Sequence, residues 1–268
     1  MATIIKNTLQ PLPIYASMED WYENKRRGNG VCRHTIVSKN SMIPFFVTTD
    51  YTPGEVHYNV KKKGETYTYA SLDLIAHRVE VGDVGGMKTY YVWFDGPILL
   101  EEGLYYMEIE WSATRKFYSE VFKAENPAML MRIDYSHSKQ IATQDGSVLM
   151  FDDTTERPLT MWLRPEGGNV MSDWQTEESV DGRDGYQMVE RRDMWKQHSI
   201  TLLANEYTVD ALMMMWVCDT MKISYDGEEY VVNYMESPAS TKVGTQNLRE
   251  VTLTWRTDTV VQVNGTVR

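Results

Sequence analysis

The sequence predicts a mainly β protein with a single helix. Three observations carry this: short alternating strands fill the first half, an Asp-Gly hairpin lies between two alternating runs near the end, and one stretch alone has helical spacing. The chain has 268 residues, 42% hydrophobic and 24% charged, which is a globular composition long enough for two domains. The 17 tyrosines and 8 tryptophans favour strands.

From Met42 to Ala124 the segments MIPFFVTT, EVHYNV, ETYTYASLDL, TYYVWF, LYYMEIEW and KFYSEVFKA are separated by turn formers such as Pro53-Gly54, Lys63-Gly64, Gly85-Gly86 and Asp95-Gly96. In GLYYMEIEW, Tyr105, Met107, Ile109 and Trp111 share one face, while Tyr106, Glu108 and Glu110 share the other. The expectation is an antiparallel β-sandwich over residues 1–125. Beyond it, residues 126–268 are expected to form a second domain, a sheet with one buried face and a covering helix near 205–217, with a long polar loop over 152–184.

The second half ends in WKQHSITLLA as a strand, EYTVDALMMMWV as a helix, TMKISYDGEEYVVNYM as a hairpin about Asp226-Gly227, and REVTLTWRTDTVV as a closing strand. On the closing strand Val251, Leu253 and Trp255 face one way. The helix groups Tyr207, Ala211, Met214 and Met215 in one stripe, with Glu206 and Asp210 outside it. Its apolar run is too short for a bilayer, which needs about 20 residues. Successive methionines diverge by about 100° on a helix and so do not converge on a metal. Core packing is the reading that remains.

The net charge of -11 argues against non-specific nucleic-acid binding, which depends on a cationic face. No secretory signal and no membrane span is expected from the sequence. The two cysteines, Cys32 and Cys218, have no ligand spacing, and the five histidines form no metal or nucleophile motif. GDVGGMK, Gly82 to Lys88, has the glycines of a phosphate loop but the wrong spacing, and reads as a hairpin turn. DGRDGY, Asp181 to Tyr186, lacks the oxygen-ligand series of a calcium loop. Neither enzyme chemistry, cofactor nor metal is expected. Paired acids such as Glu101-Glu102 and Asp152-Asp153 read as acidic surface.

Aromatic residues are the one excess: Tyr90, Tyr91, Trp93, Tyr105, Tyr106 and Trp111 exceed what one face of a small sandwich buries. They would stack on sugars or form part of a subunit interface, where Tyr and Trp are enriched. Trp162, Trp174, Tyr91, Trp93 and Tyr106 are the expected interface residues.

The stretches DGRDGYQMVER, LLANEYTVDAL, VCDTMKISYDGEEYVV and VTLTWRTDTVV, preceded by GLYYMEIEW and FYSEVFKA, resemble structural proteins of crAss-like and other Bacteroidales phages and prophages. The resemblance covers Tyr90 to Val261 and is one of pattern and order. It implies a virion component. The strand, helix, hairpin and closing strand of 126–268 also look like the split β-barrel of ring-forming tail and neck proteins of tailed phages. That likeness implies a split-barrel-like domain and a homo-oligomeric ring in the tail or the neck-to-tail connector, contacting neighbouring tail or neck proteins, with DNA passing through it. A carbohydrate-binding module of a tail tip or fibre is the alternative. A polysaccharide hydrolase is the third reading.

Overall fold

The computed structural model describes residues 10–17, 34–142, 148–150, 156–166, 170–181, 188–244 and 248–264. Cys32, the Asp152-Asp153 pair and residues 182–187 lie outside them.

The first ten strands are β1 (Ile14–Tyr15), β2 (Thr35–Ser38), β3 (Phe45–Thr49), β4 (His57–Lys62), β5 (Ala70–Ser71), β6 (Ala76–Val84), β7 (Met87–Phe94), β8 (Gly103–Ser112), β9 (Arg115–Ser119) and β10 (Phe122–Glu125). A 3-10 turn, Pro127–Met129, leads to β11 (Met131–Ser136), β12 (Ile141–Ala142), β13 (Val148–Met150), β14 (Leu159–Leu163), β15 (Met171–Asp181) and β16 (Met188–Asn205). Helix α1 (Glu206–Met215) follows directly, then β17 (Thr220–Tyr225), β18 (Glu228–Val231), β19 (Tyr234–Met235), β20 (Ala239–Lys242) and β21 (Leu248–Asn264). The protein is mainly β, with several sheets and one α-helix among the described residues.

An 11-stranded sheet runs β1-β9-β8-β10-β2-β14-β11-β17-β18, with β4 and β5 joined at β8. A three-stranded sheet, β3-β7-β6, and a five-stranded sheet, β15-β16-β21-β19 with β20 also on β21, complete the main framework. The large sheet crosses residue 125: β2 pairs in parallel with β10 and antiparallel with β14, where Trp162 faces Ile36.

Two cores result. One gathers Tyr58, Val60, Met107, Ile109, Trp111 and Phe117 beneath the three-stranded sheet. In the other, β11, β14 and β17 face β16 and β21, with α1 closing the side. No ring of hydrogen bonds joins these second-half strands into one barrel among the described residues.

The three-stranded sheet lies between the cores. Phe45, Val47, Tyr90 and Val92 enter the first, while Phe46 and Tyr91 enter the second. Adjacent residues of a strand point to opposite faces, so a strand in this position is buried at successive places and any polar side chain there needs a partner. FFVTT and TYYV are buried throughout, as that requires.

The expected alternation holds in β8, where Tyr105, Met107, Ile109 and Trp111 are fully buried. On its other face Glu108 is also buried, held by Lys61 at 2.9 Å and Lys116 at 3.2 Å. Val251, Leu253 and Trp255 are buried as a set on β21. The β17–β18 hairpin turns through Asp226 at φ 51° and Gly227 at φ 78°, the left-handed pair that matches strand twist. Gly85 and Gly86 make the corresponding turn between β6 and β7, so GDVGGMK is a hairpin.

α1 starts where Asn205 accepts a hydrogen bond from the Thr208 amide at 2.8 Å, satisfying one of the amides a helix start leaves unpaired. Ala211, Leu212, Met214 and Met215 are buried, and Met213 faces outward at 40% exposure. The methionine run is core on one side.

The stretch 152–184 differs from the expected loop, because it contains the whole of β14 and β15. LTMWL is buried nearly throughout and continues the large sheet between β2 and β11. Polar flanks hid it. Prolines at 158 and 165 and the glycines at 167–168 bracket a strand too short to show a period.

Candidate assembly surface

The five expected interface residues have separate settings. Tyr91 is fully buried and its hydroxyl donates to the Arg157 carbonyl at 2.8 Å. Burial pushes its ionisation well above the ordinary tyrosine range. Trp162 is 9% exposed and belongs to the first core. Neither presents a broad surface to a partner. The aromatic residues exceed what one buried face holds because β7 has two.

Trp93 is half-buried beside Tyr91 in a cleft of about 250 Å³ that Arg132, Arg157 and Thr160 also line. The Arg157 guanidinium lies 4.3 Å from its ring centroid, and His77 stacks on it at 5.3 Å. Its indole N–H donates to Asp95 at 3.1 Å. The ring is therefore part of a packed stack. Tyr106 is half-buried on β8 opposite Lys61. The structure brings Tyr91 and Trp93 together, with ring centroids 5.8 Å apart, and leaves Trp162, Trp174 and Tyr106 outside that stack.

Trp174 is different, being 50% exposed on β15. β15, β16 and β21 are long strands of 11, 18 and 17 residues, so β16 alone spans about 60 Å at ~3.3 Å per residue. The root of β16 is core, with Ile200, Leu202 and Ala204 buried. From Asp193 to Gln197 no residue is buried, and Met171 to Glu178 on β15 are exposed except for half-buried Gln175. Past Ile200 the sheet leaves the core and forms an arm, on which Lys196 and the β15 residues around Trp174 are exposed while Asp193, Met194, Trp195 and Gln197 are half-buried.

Register assigns the faces. Ser172 pairs with His198 and Trp174 with Lys196, so Trp174 lies on the face that holds His198 and Ile200 at the root. The core-side face thus continues into solvent with an uncovered tryptophan on it. On the opposite face Met171 is 65% exposed. Arg256 covers Trp195, with its guanidinium 4.1 Å from that ring.

Both edges of the five-stranded sheet are open among the described residues: β15 pairs with β16 alone and β20 with β21 alone. β15, MSDWQTEESVD, has only acidic charges, and β20, ASTK, has one lysine. Open edges offer unpaired backbone donors and acceptors to another strand.

Sequence reasoning missed one contact at the root of the arm. Ser172 Oγ and His198 Nδ1 are 2.8 Å apart, with the imidazole stacked on Trp255 at 5.6 Å and tilted against Tyr230 at 4.8 Å. Its signal was the alternation of His198, Ile200, Leu202 and Ala204, which puts the histidine on the core side. A serine–histidine pair becomes a strong nucleophile when a third group orients the base. Here Nε2 is buried without a partner among the described residues. No cluster of three or more His, Cys, Asp or Glu side chains suited to a metal occurs among them, and no helix is long and apolar enough to cross a membrane.

No protein-family model matches the chain, and a search of curated proteins returns no match. The functional reading therefore rests on the arm, the sheet edges and the sequence resemblance.

Proposed function

We propose that the chain is a non-enzymatic structural protein of a bacteriophage virion, forming a homo-oligomeric ring in the tail or neck-to-tail connector. Copies join head to tail through the five-stranded sheet, the acidic β15 edge of one beside the lysine-bearing β20 edge of the next. The phage assignment comes from the resemblance of residues 90–261, and the ring from physical reasoning on the sheet. The observation that supports it best is that this sheet has two open edges of opposite charge and a core-side face that runs on past its own core. A contact between two different surfaces repeats around an axis and closes as a ring when the rotation allows. Trp174 then gains the cover that its own chain lacks, as buried aromatics do at interfaces. The first half, on this reading, faces neighbouring tail or neck proteins, and DNA slides through the acidic ring without specific contacts.

The carbohydrate-binding alternative needs an open aromatic platform. Trp93 is a poor one, since Arg157 and His77 lie against its ring.

The test is a charge swap followed by light scattering and negative-stain microscopy. The native protein should give closed symmetric particles. Glu177→Lys and Lys242→Glu should each weaken assembly, and the double variant should recover it. A protein that stays monomeric at every concentration, with a tryptophan fluorescence change on adding glycans, would replace this reading with the sugar-binding one.

A further inference from the structure

His198 stands where the arm leaves the body: β16 is buried from Ile200 onward in alternate positions, and from Gln197 back to Asp193 it is half-buried or exposed. The residue is 3% exposed. Ser172 on β15 meets Nδ1, Trp255 on β21 covers one ring face, and Tyr230 on β18 packs against it. Nε2 is buried and has no partner among the described residues.

We propose that His198 is an acid-sensitive catch for the arm: taking up a proton loosens β16 from Trp255 and Tyr230 and frees the distal parts of β15, β16 and β21. The neutral ring carries a single N–H, which Ser172 can accept at Nδ1, and Nε2 is then left only as an unpaired acceptor among the described residues. The imidazolium has two N–H donors, and the second would be buried with no acceptor. Stacking on Trp255 attracts a cation, yet losing water costs a buried charge more than one such contact returns.

The surrounding charges give no relief. Lys196 on the same strand is the charge that acts on the imidazole, and it repels a proton. On β15 the contact is the neutral Ser172, and on β21 the neutral Trp255. On β18, Glu228 acts on Tyr230, and no carboxylate among the described residues offsets a charge on His198. Burial first and Lys196 second hold the closed-state value below the ordinary 6.5. The open arm, with a solvated histidine, binds more protons than the closed one, so closure is strongest above about pH 6.5 and weakens as pH falls through it. Each further pH unit raises opening about tenfold until the closed state itself takes up the proton.

The inference builds on the arm as the assembling element, but its readout needs no ring. Hydrogen exchange, corrected for the intrinsic pH dependence, is measured on the dilute native chain from about pH 7.5 to 5. Amides at 173–178 and 193–197 should exchange faster as pH falls below about 6.5, by up to about tenfold per unit, while those of β3 and β7 hold steady. His198→Gln, neutral throughout, should abolish that slope. A parallel NMR titration reads the imidazole in the native protein, whatever the variant does to folding. A titration at or above the ordinary value, or an arm whose exchange ignores pH, would overturn the catch. Loss of rings with the exchange slope intact would instead count against the assembly reading alone.

Discussion

The β3-β7-β6 sheet and the β15-β16-β21 arm are opposite solutions to the same local structure. In the first, β3 and the centre of β7 have both faces covered by the chain's own cores; in the other, the residues from Gln197 back to Asp193 are only half-buried or exposed. Their aromatic residues therefore mean different things. Tyr91 and Phe46 hold two cores together, with rings 5.0 Å apart in the second core, whereas Trp174 lies on a core-side face that has outrun its core. Aromatic content alone does not mark an interface. The informative quantity is how many faces of the strand are already occupied.

The strongest way to break this contrast is to truncate one ring in each region. Tyr91→Ala should cost about 3–5 kcal/mol in urea denaturation, since it opens a cavity where two packed layers meet. A cost under about 1 kcal/mol would mean that the sheet is not clamped on both faces. The methionine run offers the next largest effect: Met214→Asp should destabilise by several kcal/mol and Met213→Asp by less than about 1, because only the first places a charge in the core. Equal melting temperatures for the two variants would remove the distinction between the helix faces.

Smaller effects test the joints. Asn205→Ala should cost about 1 kcal/mol by removing the cap where β16 turns into α1. Gly227→Ala should cost about the same, because its backbone is left-handed. The smallest effect belongs to the arm: Trp174→Ala should change monomer stability by no more than about 0.5 kcal/mol and yet reduce the assembled fraction in light scattering. A large loss of monomer stability would show that the arm already has its cover within one chain.

Much of the fold was legible because alternation and turn chemistry are local. GLYYMEIEW, VTLTW and the Asp226-Gly227 turn each declare one buried face or one reversal. TYYVWF and PFFVTT carry a different message, consecutive large apolar residues without alternation, which marks strands covered on both sides. Taken as half-wet, they made Tyr91 look available to a partner. β14 was illegible for a physical reason: five residues among prolines, glycines and acids acquire strand identity only from β2 and β11 on either side. The Ser172–His198 contact joins residues whose meeting depends on register, and register is a property of pairs of strands.

The position of β2 bears on how the chain is made. This strand, Thr35–Ser38, lies between β10 and β14, so neither of its lasting neighbours exists when it leaves the ribosome. Its parallel bond to β10 waits for residues 122–125, and its other edge waits for 159–163. Pairings this distant in sequence are slow to form and leave apolar strands unsatisfied in the meantime. A nascent chain stalled at residue 125 should accordingly retain chaperones that one extended past residue 163 has begun to release. The arm matures later still, when β21, the last described strand, enters between β16 and β20. Val251, Leu253 and Trp255 of this strand also belong to the second core, so that core and the arm become complete together.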